Sequence, residues 1–352
     1  MKQKTMKALV YHGPHNISLD DVAVPQLQKD TDVIARVTIS TICTSDVHVF
    51  EGLSQIVKPP RILGHEFCAE IVEVGSAVQG FKIGDRVHCP PLSFCGECAM
   101  CKLGRVGACQ NAGGFGLFTD GCQAEYVRIP YANNCLIPIP DDMTDKDVLL
   151  LGDMLATALF GVNNAEVKVG QTVAVIGSGP VGLCSCLLAK KVRGAKVIVL
   201  DKIQERIDLA LKAGVADIGI NVQTQDAAQL ILEATGGKGV DSAIETAGNS
   251  QSFGMALQIT AAAGIVSSVA LYSTSFELPL PTLVFKNLTI RMGIQRIQGI
   301  PELLGYIKDG TINTDFLLTH QAPLNDIIKG YEVFGAQKDG CVKWVVTPYE
   351  NK

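Results

Sequence analysis

Cys95, Cys98, Cys101 and Cys109 stand at C-x2-C-x2-C-x7-C spacing. Four soft thiolates this close in sequence suit a tetrahedral Zn2+ with no open position, and a closed site is structural rather than catalytic. Such a metal would tie down residues 90–118, where regular periodicity gives way to Cys and Gly. Four independent thiols and an Fe–S cluster are the alternatives. A second set is dispersed: Cys43-Thr44-Ser45-Asp46-Val47-His48 and Leu63-Gly64-His65-Glu66. It offers a thiolate, a hydroxyl, carboxylates and imidazoles. On spacing alone two readings stand: metal ligands, or a small core cysteine and a satisfied surface histidine.

A third set is Gly177-Ser178-Gly179-Pro180-Val181-Gly182, a G-x-G-x-x-G run. It follows a β-branched run at 173–176 and opens a helix-length apolar segment, after which a second strand-like run at 196–200 ends on Asp201. Gly177 permits the tight turn, Gly179 lets the backbone approach a pyrophosphate, and Gly182 lets helix and strand pack closely. The helix start at Ser178–Val181 presents unpaired N–H groups and a positive dipole end to the phosphates. Asp201, 19 residues after Gly182, is placed to accept the ribose hydroxyls of an adenosine, and its charge would repel a 2′-phosphate. The set points to a dinucleotide, NAD rather than NADP. The plain alternative is a glycine turn that only packs a helix on a sheet.

These sets need different supports. Strand-like runs recur at 173–176, 196–200, 217–220, 241–246, 264–270 and 287–292, and six of them predict a doubly wound parallel sheet. The cysteine and histidine sets lie upstream in a loop-rich region punctuated by Pro25, Pro59 and Pro60. There, strand patterns at 7–11, 33–39, 71–74, 86–88 and 124–129 read as antiparallel, and 144–163 reads as helical. Beyond the sheet, helices near 301–309 and 324–337 and a strand at 342–346 are expected to return to the first domain.

At 352 residues the chain has room for two domains, and 47% apolar against 18% charged residues excludes disorder. A net charge of −5 without a basic run gives nucleic acid and anionic membranes no electrostatic footprint. No apolar run is long enough to span a bilayer, and the stretch MKQKTMKALV is too short in apolar residues for an export signal. The expectation is a cytoplasmic protein that binds neither nucleic acid nor membrane. In a reducing compartment its 12 cysteines are thiols or metal ligands. Cys68, Cys89, Cys122, Cys135, Cys184, Cys186 and Cys341 read as buried thiols, and His12, His15, His88 and His320 belong to no motif.

Jointly, CTSDVH at 43–48, GHE at 64–66, GDRV at 84–87, the four-cysteine loop and GSGPVG at 177–182 make the chain resemble one family along essentially its whole length. It is similar to the zinc-containing medium-chain dehydrogenase/reductase family, the alcohol and polyol dehydrogenases. One departure is Ala69 in place of the last Gly of the family's G-H-E-x-x-G. The fold implied is α/β. A GroES-like antiparallel β catalytic domain with the structural zinc lobe would cover 1–156, and a doubly wound parallel-sheet (Rossmann) NAD-binding domain 157–293. Residues 294–352 would return to the catalytic domain.

The resemblance also implies roles. Two Zn2+ per chain and NAD are expected. Cys43 and His65 match the first two ligands of the catalytic zinc, and Asp153 falls at the third. That Cys/His/Asp set departs from the Cys2His set of other alcohol dehydrogenases and looks like the bacterial secondary-alcohol and glutathione-independent formaldehyde dehydrogenases. Asp46 matches the partner that orients His65, and Glu66 the acid beside the metal. Ser45 matches the hydroxyl that receives the alcohol proton, and His48 the outer end of the relay. Thr157, Val269, Ala270 and Leu271 match positions lining the nicotinamide, and Thr246 and Ala247 join them as cofactor contacts. Lys202 and Arg206 flank the adenosine or are solvated helix charges. Lys343 is expected to reach the pyrophosphate, and Pro91, Leu92, Phe115, Met154 and Leu271 to line a pocket for a small-molecule substrate. The activity implied is reversible hydride transfer between a secondary alcohol or polyol and NAD. Oxidation of formaldehyde or another aldehyde is a second reading. A non-catalytic binding protein is a third, and it predicts lost ligands. The strand near 287–292 is expected at a sheet edge, where pairing with its twin would make a homodimer or, as often in this family, a homotetramer.

Overall fold

A computed structural model describes residues 4–54, 56–295 and 297–349. By contacts the chain divides into two units, one running to Asp153 and resuming at Leu317, the other spanning Met154–Phe316.

The second unit is built on a six-stranded parallel sheet. Its order is Ile218–Asn221, Lys196–Asp201, Thr172–Ile176, Val240–Glu245, Thr260–Ser268 and Thr289–Met292. Helices cover both faces, so the central strand reads as an unbroken apolar run. Val173, Ala174 and Val175 are fully buried. The strand order reverses between Thr172–Ile176 and Val240–Glu245, and the crevice outside the carboxyl ends of such a pair is where this topology binds ligands. Gly177 and Thr246 stand at that crevice. The strand expected at 264–270 instead runs Thr260–Ser268. It carries a register shift against Val240–Glu245, and Ala263 takes a φ of 61° there. Thr289–Met292 ends the strand order with Ile290, Met292 and Ile294 exposed, an open sheet edge.

Residues 294–316 group with this unit, whereas the sequence pattern assigned all of 294–352 to the other. The reason is packing. Gly299 abuts the Leu159 side chain so closely that a Cβ would lie 2.4 Å from it, and Glu302 on the helix Ile300–Lys308 pairs with Arg193 at 3.3 Å. The return begins only at Leu317.

In the first unit a sheet runs in the order Ile137–Pro138, Arg86–Cys89, Phe67–Val74, Val33–Ile42, Trp344–Thr347, His320–Pro323, with Tyr126–Ile129 also on Val33–Ile42. All neighbours are antiparallel except the last pair, which is parallel. A three-stranded sheet (Asn16–Ala23, Thr5–Gly13, Arg61–Ile62) and the pair Leu92–Ser93 with Gly113–Gly114 complete it. The helical pattern at 144–163 resolves into Asp145–Val148, a π turn over Leu151–Leu155, and Ala156–Asn164. No helix of the described residues is long and apolar enough to cross a membrane.

His88 sits inside the first unit on Arg86–Cys89, 1% exposed. Its Nδ1 lies 3.7 Å from Cys68 Sγ, and its Nε2 is buried without a hydrogen-bond partner among the described residues. Burial pushes its pKa down to about 4. A histidine that stays neutral when folded binds a proton only in the unfolded chain between pH 6.5 and 4. Stability is therefore lost as pH falls through that window, by up to roughly 3 kcal/mol. His88→Leu should flatten the curve of unfolding free energy against pH there, measured by urea titration. Parallel curves for the two proteins would show that His88 does not titrate on unfolding.

Candidate active site

The first ligand candidate, Cys43, follows the strand Val33–Ile42 and caps the helix Thr44–Phe50. His65 precedes the strand Phe67–Val74, which pairs antiparallel with Val33–Ile42, Ser40 opposite Phe67. Pairing alone therefore brings the two segments side by side. Asp46 locks them. One of its oxygens accepts the Cys43 N–H at 2.9 Å and the Gln123 amide at 3.2 Å; the other accepts the Gly64 N–H at 3.2 Å and faces His65 Nδ1 at 3.2 Å. Gly64 takes a φ of 93°, and a Cβ on it would sit 2.5 Å from the Gln123 side chain, so only glycine fits.

With Nδ1 held by Asp46, His65 presents Nε2. Asp153 Oδ2 lies 3.2 Å from that atom and 3.9 Å from Cys43 Sγ. The three donor atoms all fall within 4.8 Å of one another. Burial pushes the His65 imidazole down, but the charges of Asp46 and Cys43 and the contact with Asp153 reverse this and hold it well above its usual value. Ser45 Oγ is 3.3 Å from His65 Nε2, and His48 stands one turn further along the same helix, half-buried.

The four-cysteine set also gathers. Sulfur separations are 3.6 Å for Cys95–Cys109, 3.9 Å for Cys98–Cys109 and 4.0 Å for Cys95–Cys101. Ligand sulfurs around a tetrahedral Zn2+ with ~2.3 Å bonds stand about 3.8 Å apart. Both sets thus fit the metal, and none of the sulfurs forms a disulfide. Backbone N–H groups of Glu97 and Cys98 hold the Cys95 thiol down to about 6, the thiolate form a metal takes.

The nucleotide features lie in the second unit. Gly177 has a φ of 94°, and a Cβ on Gly182 would lie 1.8 Å from the Gly177 carbonyl oxygen, whereas Gly179 meets nothing nearer than the Arg206 guanidinium at 3.9 Å. The helix Pro180–Leu187 starts there with no side-chain cap, so its first N–H groups face an open, Cβ-free turn that fits a phosphate. Asp201 is fixed in place. It accepts from the Ser178 N–H and hydroxyl on one oxygen, and from the Lys202 and Ile203 N–H groups at 2.7 and 2.9 Å on the other. A ribose diol would have to take the place of the Ser178 hydroxyl. Thr246 bonds the Gly177 carbonyl at 2.9 Å. Ala247, Lys202 and Leu271 are exposed, and Thr157, Val269 and Ala270 are half-buried. Phe115, expected in the substrate pocket, is 1% exposed and packs edge-on against Phe67.

Two family models match. Residues 29–141 match the alcohol dehydrogenase GroES-like domain and residues 180–304 the zinc-binding dehydrogenase domain. The chain belongs to the zinc-dependent medium-chain alcohol dehydrogenase family. It is 34% identical to an alcohol dehydrogenase of Cupriavidus necator over 98% of this chain and 99% of that one. It is also 34% identical to the L-threonine 3-dehydrogenase of Bacillus licheniformis, over 97% and 99%. The solved zinc-dependent alcohol dehydrogenase 2 from Streptococcus pneumonia superposes with a TM-score of 0.93 at 34% identity, covering 99% of each chain. This medium-chain alcohol dehydrogenase is thus an oxidoreductase of the alcohol or polyol type, with zinc, a nucleotide cofactor and a small-molecule substrate.

What the sequence pattern missed in this dehydrogenase is the company of Glu66. Lys343, expected at a pyrophosphate, is fully buried with its Nζ on Glu66 Oε2, 3.2 Å from the Thr41 hydroxyl and 3.2 Å from the Ile42 carbonyl. Thr41 also donates to Glu66 Oε2, while Oε1 is buried without a partner among the described residues. Burial would lower the Lys343 pKa, but the Glu66 carboxylate reverses this and raises it; burial raises the Glu66 carboxyl, and Lys343 pulls it back only in part, so the ion pair is held against burial. The available signal was a lone cation in the apolar run Val342–Val346. Lys343→Met should cost about 3–5 kcal/mol, because it leaves a buried carboxylate uncompensated. Adding Glu66→Gln should recover part of that loss in denaturant unfolding. A single variant as stable as the parent would show that the pair is not what keeps Glu66 charged.

Proposed function

We propose that the protein is a zinc-dependent, NAD-linked dehydrogenase that moves a hydride reversibly between a secondary alcohol or polyol and the nicotinamide. The observation that carries this reading is the gathering of the Cys43, His65 and Asp153 donors within 4.8 Å of one another, with the Ser45 hydroxyl beside them. Cys43, His65 and Asp153 would hold one zinc and the four cysteines a second; the first supplies Lewis acidity toward the substrate oxygen. The chain's own groups handle the proton. Ser45 Oγ, 3.3 Å from His65 Nε2, takes the proton of the alcohol, and His48 passes it outward. Asp46, facing Nδ1, would leave Nε2 to the metal. Glu66 Oε1 remains a spare acceptor one residue from His65.

A secondary alcohol is supported by the relative named for carbon 3 of L-threonine, whose hydroxyl is secondary. NAD is supported by Asp201, whose charge is held in place by four donors of the chain where a 2′-phosphate would otherwise sit.

Elemental analysis of protein purified without chelator should find two zinc ions per chain. Asp153→Asn should lose one of them and at least about 100-fold in turnover, because Cys43 is then the only anionic ligand of the three. Iron with labile sulfide, or full activity and two zincs in Asp153→Asn, would overturn the metal assignment. With a panel of secondary alcohols, polyols and aldehydes, NAD should exceed NADP in kcat/KM, and Asp201→Gly should narrow the gap. A parent enzyme that prefers NADP would refute the role given to Asp201, and turnover confined to aldehydes would refute the substrate class.

A further inference from the structure

Glu245 ends the strand Val240–Glu245 and is fully buried, yet among the described residues no cation pairs with it. Burying an ionised carboxylate without a counter-charge is costly unless hydrogen bonds satisfy it. Five donors do so. Oε1 accepts from the Ala247 N–H, the Gly248 N–H and the Ser252 hydroxyl, each at 2.8 Å. Oε2 accepts from the Tyr272 hydroxyl, and the Ser268 hydroxyl, 3.3 Å from Oε2 and 2.8 Å from the Tyr272 oxygen, shares its one proton between them. Burial and the Glu245 charge together push the Tyr272 phenol up, so it stays a donor. Its ring stacks edge-on against Phe253 at 5.9 Å.

The donors sit on and beside two loops, 246–249 and 269–272, that leave adjacent strands at the carboxyl end of the parallel sheet: Ala247, Gly248 and Tyr272 lie in the loops, Ser252 in the helix Ser250–Ile259 that follows the first, and Ser268 at the end of the strand that leads into the second. The loops also touch directly, since a Cβ on Gly248 would lie 2.4 Å from the Leu271 carbonyl oxygen. Thr246 in turn bonds the Gly177 carbonyl of the glycine turn at 2.9 Å. A neutral amide offers one acceptor atom and cannot receive all five donors at once. For packing alone, an apolar residue would be the cheaper occupant. What the carboxylate adds is a fixed relation between the two loops.

We infer that Glu245 is a positioning residue for the nicotinamide half of the dinucleotide, holding 246–248 and 269–271 as one wall, with Tyr272 as the prop that couples the second loop to it. The inference rests on the reading that a dinucleotide binds at this edge of the sheet. Tyr272→Phe keeps the ring and its contact with Phe253 but removes the hydroxyl. A hydrogen bond to a charged group is worth about a tenfold change in an equilibrium constant. The Kd for NADH, followed by fluorescence titration, and the KM for NAD should both rise about tenfold, while Tm falls by only a few degrees, the cost of one hydrogen bond lost in the free protein. Glu245→Gln can turn the Ser268 and Tyr272 hydroxyls round to accept from its amide, so it should bind NADH better than Glu245→Ala. Tyr272→Phe binding NADH as tightly as the parent, or Gln and Ala at 245 behaving alike, would overturn the positioning role. A parent protein that binds neither NADH nor NADPH would instead overturn the dinucleotide reading, and this inference with it.

Discussion

The Asp46 carboxylate is the constraint on which the meeting of Cys43 and His65 depends. Cys43 and His65 arrive on different segments, one after a strand and one before another, and sheet register alone does not fix how their side chains meet. Asp46 removes that freedom by accepting the Cys43 and Gly64 backbone N–H groups and facing His65 Nδ1. Its hold on the backbone fixes where each ligand starts, and its hold on the ring fixes which nitrogen points out. Gln123 closes the arrangement, donating to Asp46 and to the Thr41 carbonyl while accepting from Tyr331 at 2.8 Å. An asparagine at 46 would bring an amide donor against those backbone donors and undo the arrangement.

Three of the buried carboxylates, Asp46, Glu66 and Glu245, are accommodated in three ways, and the differences follow from the donors around each. Asp46 is ringed by N–H groups and an imidazole, which aligns His65 without a lysine or arginine on the carboxylate. Glu66 is given a lysine on one oxygen while the other is left without a partner, so its charge is balanced and one acceptor stays available. Glu245 is given only hydroxyls and N–H groups, from the two loops and from the helix and strand beside them, so its charge acts as a tether. Charge compensation, ligand orientation and loop fixation are thus separate uses of one chemical group, set by which donors the fold brings near.

Legibility in the sequence followed how local each signal is. The six parallel strands and the glycine turn were readable because hydrophobic runs, glycines and an acid repeat at short range, and the family resemblance was readable because its motifs are contiguous. The four-cysteine loop was readable for the same reason. Lys343 was not, because its partner Glu66 is distant in the chain and a lone lysine carries no pattern; neither were Gln123, Thr41 and Tyr272, whose roles exist only through contacts. The segment 294–316 was misassigned because its helix has the same amphipathic pattern whichever unit it packs against, and contacts with Leu159 and Arg193 decide the matter.

Asp153 shows the boundary between what motif and packing each determine. Its place in the chain is readable from the resemblance, but a regular helix over 144–163 would not put it where the structure does. The π turn Leu151–Leu155 interrupts that helix, and Asp153 is its middle residue. A π turn carries an extra residue per turn and is poorer in hydrogen-bond geometry than the α turn it replaces, so it persists where tertiary contacts favour it. Gly152 supplies them. A Cβ there would stand 2.3 Å from His88 Nε2 and 2.9 Å from Pro90 Cα, so the bare backbone lies directly on the neighbouring strand and the loop after it. A side chain at 152 would lift the turn off that support and carry Asp153 away from His65 and Cys43. Asp153, the candidate third ligand, is therefore aimed by a glycine and a buried histidine outside the donor set.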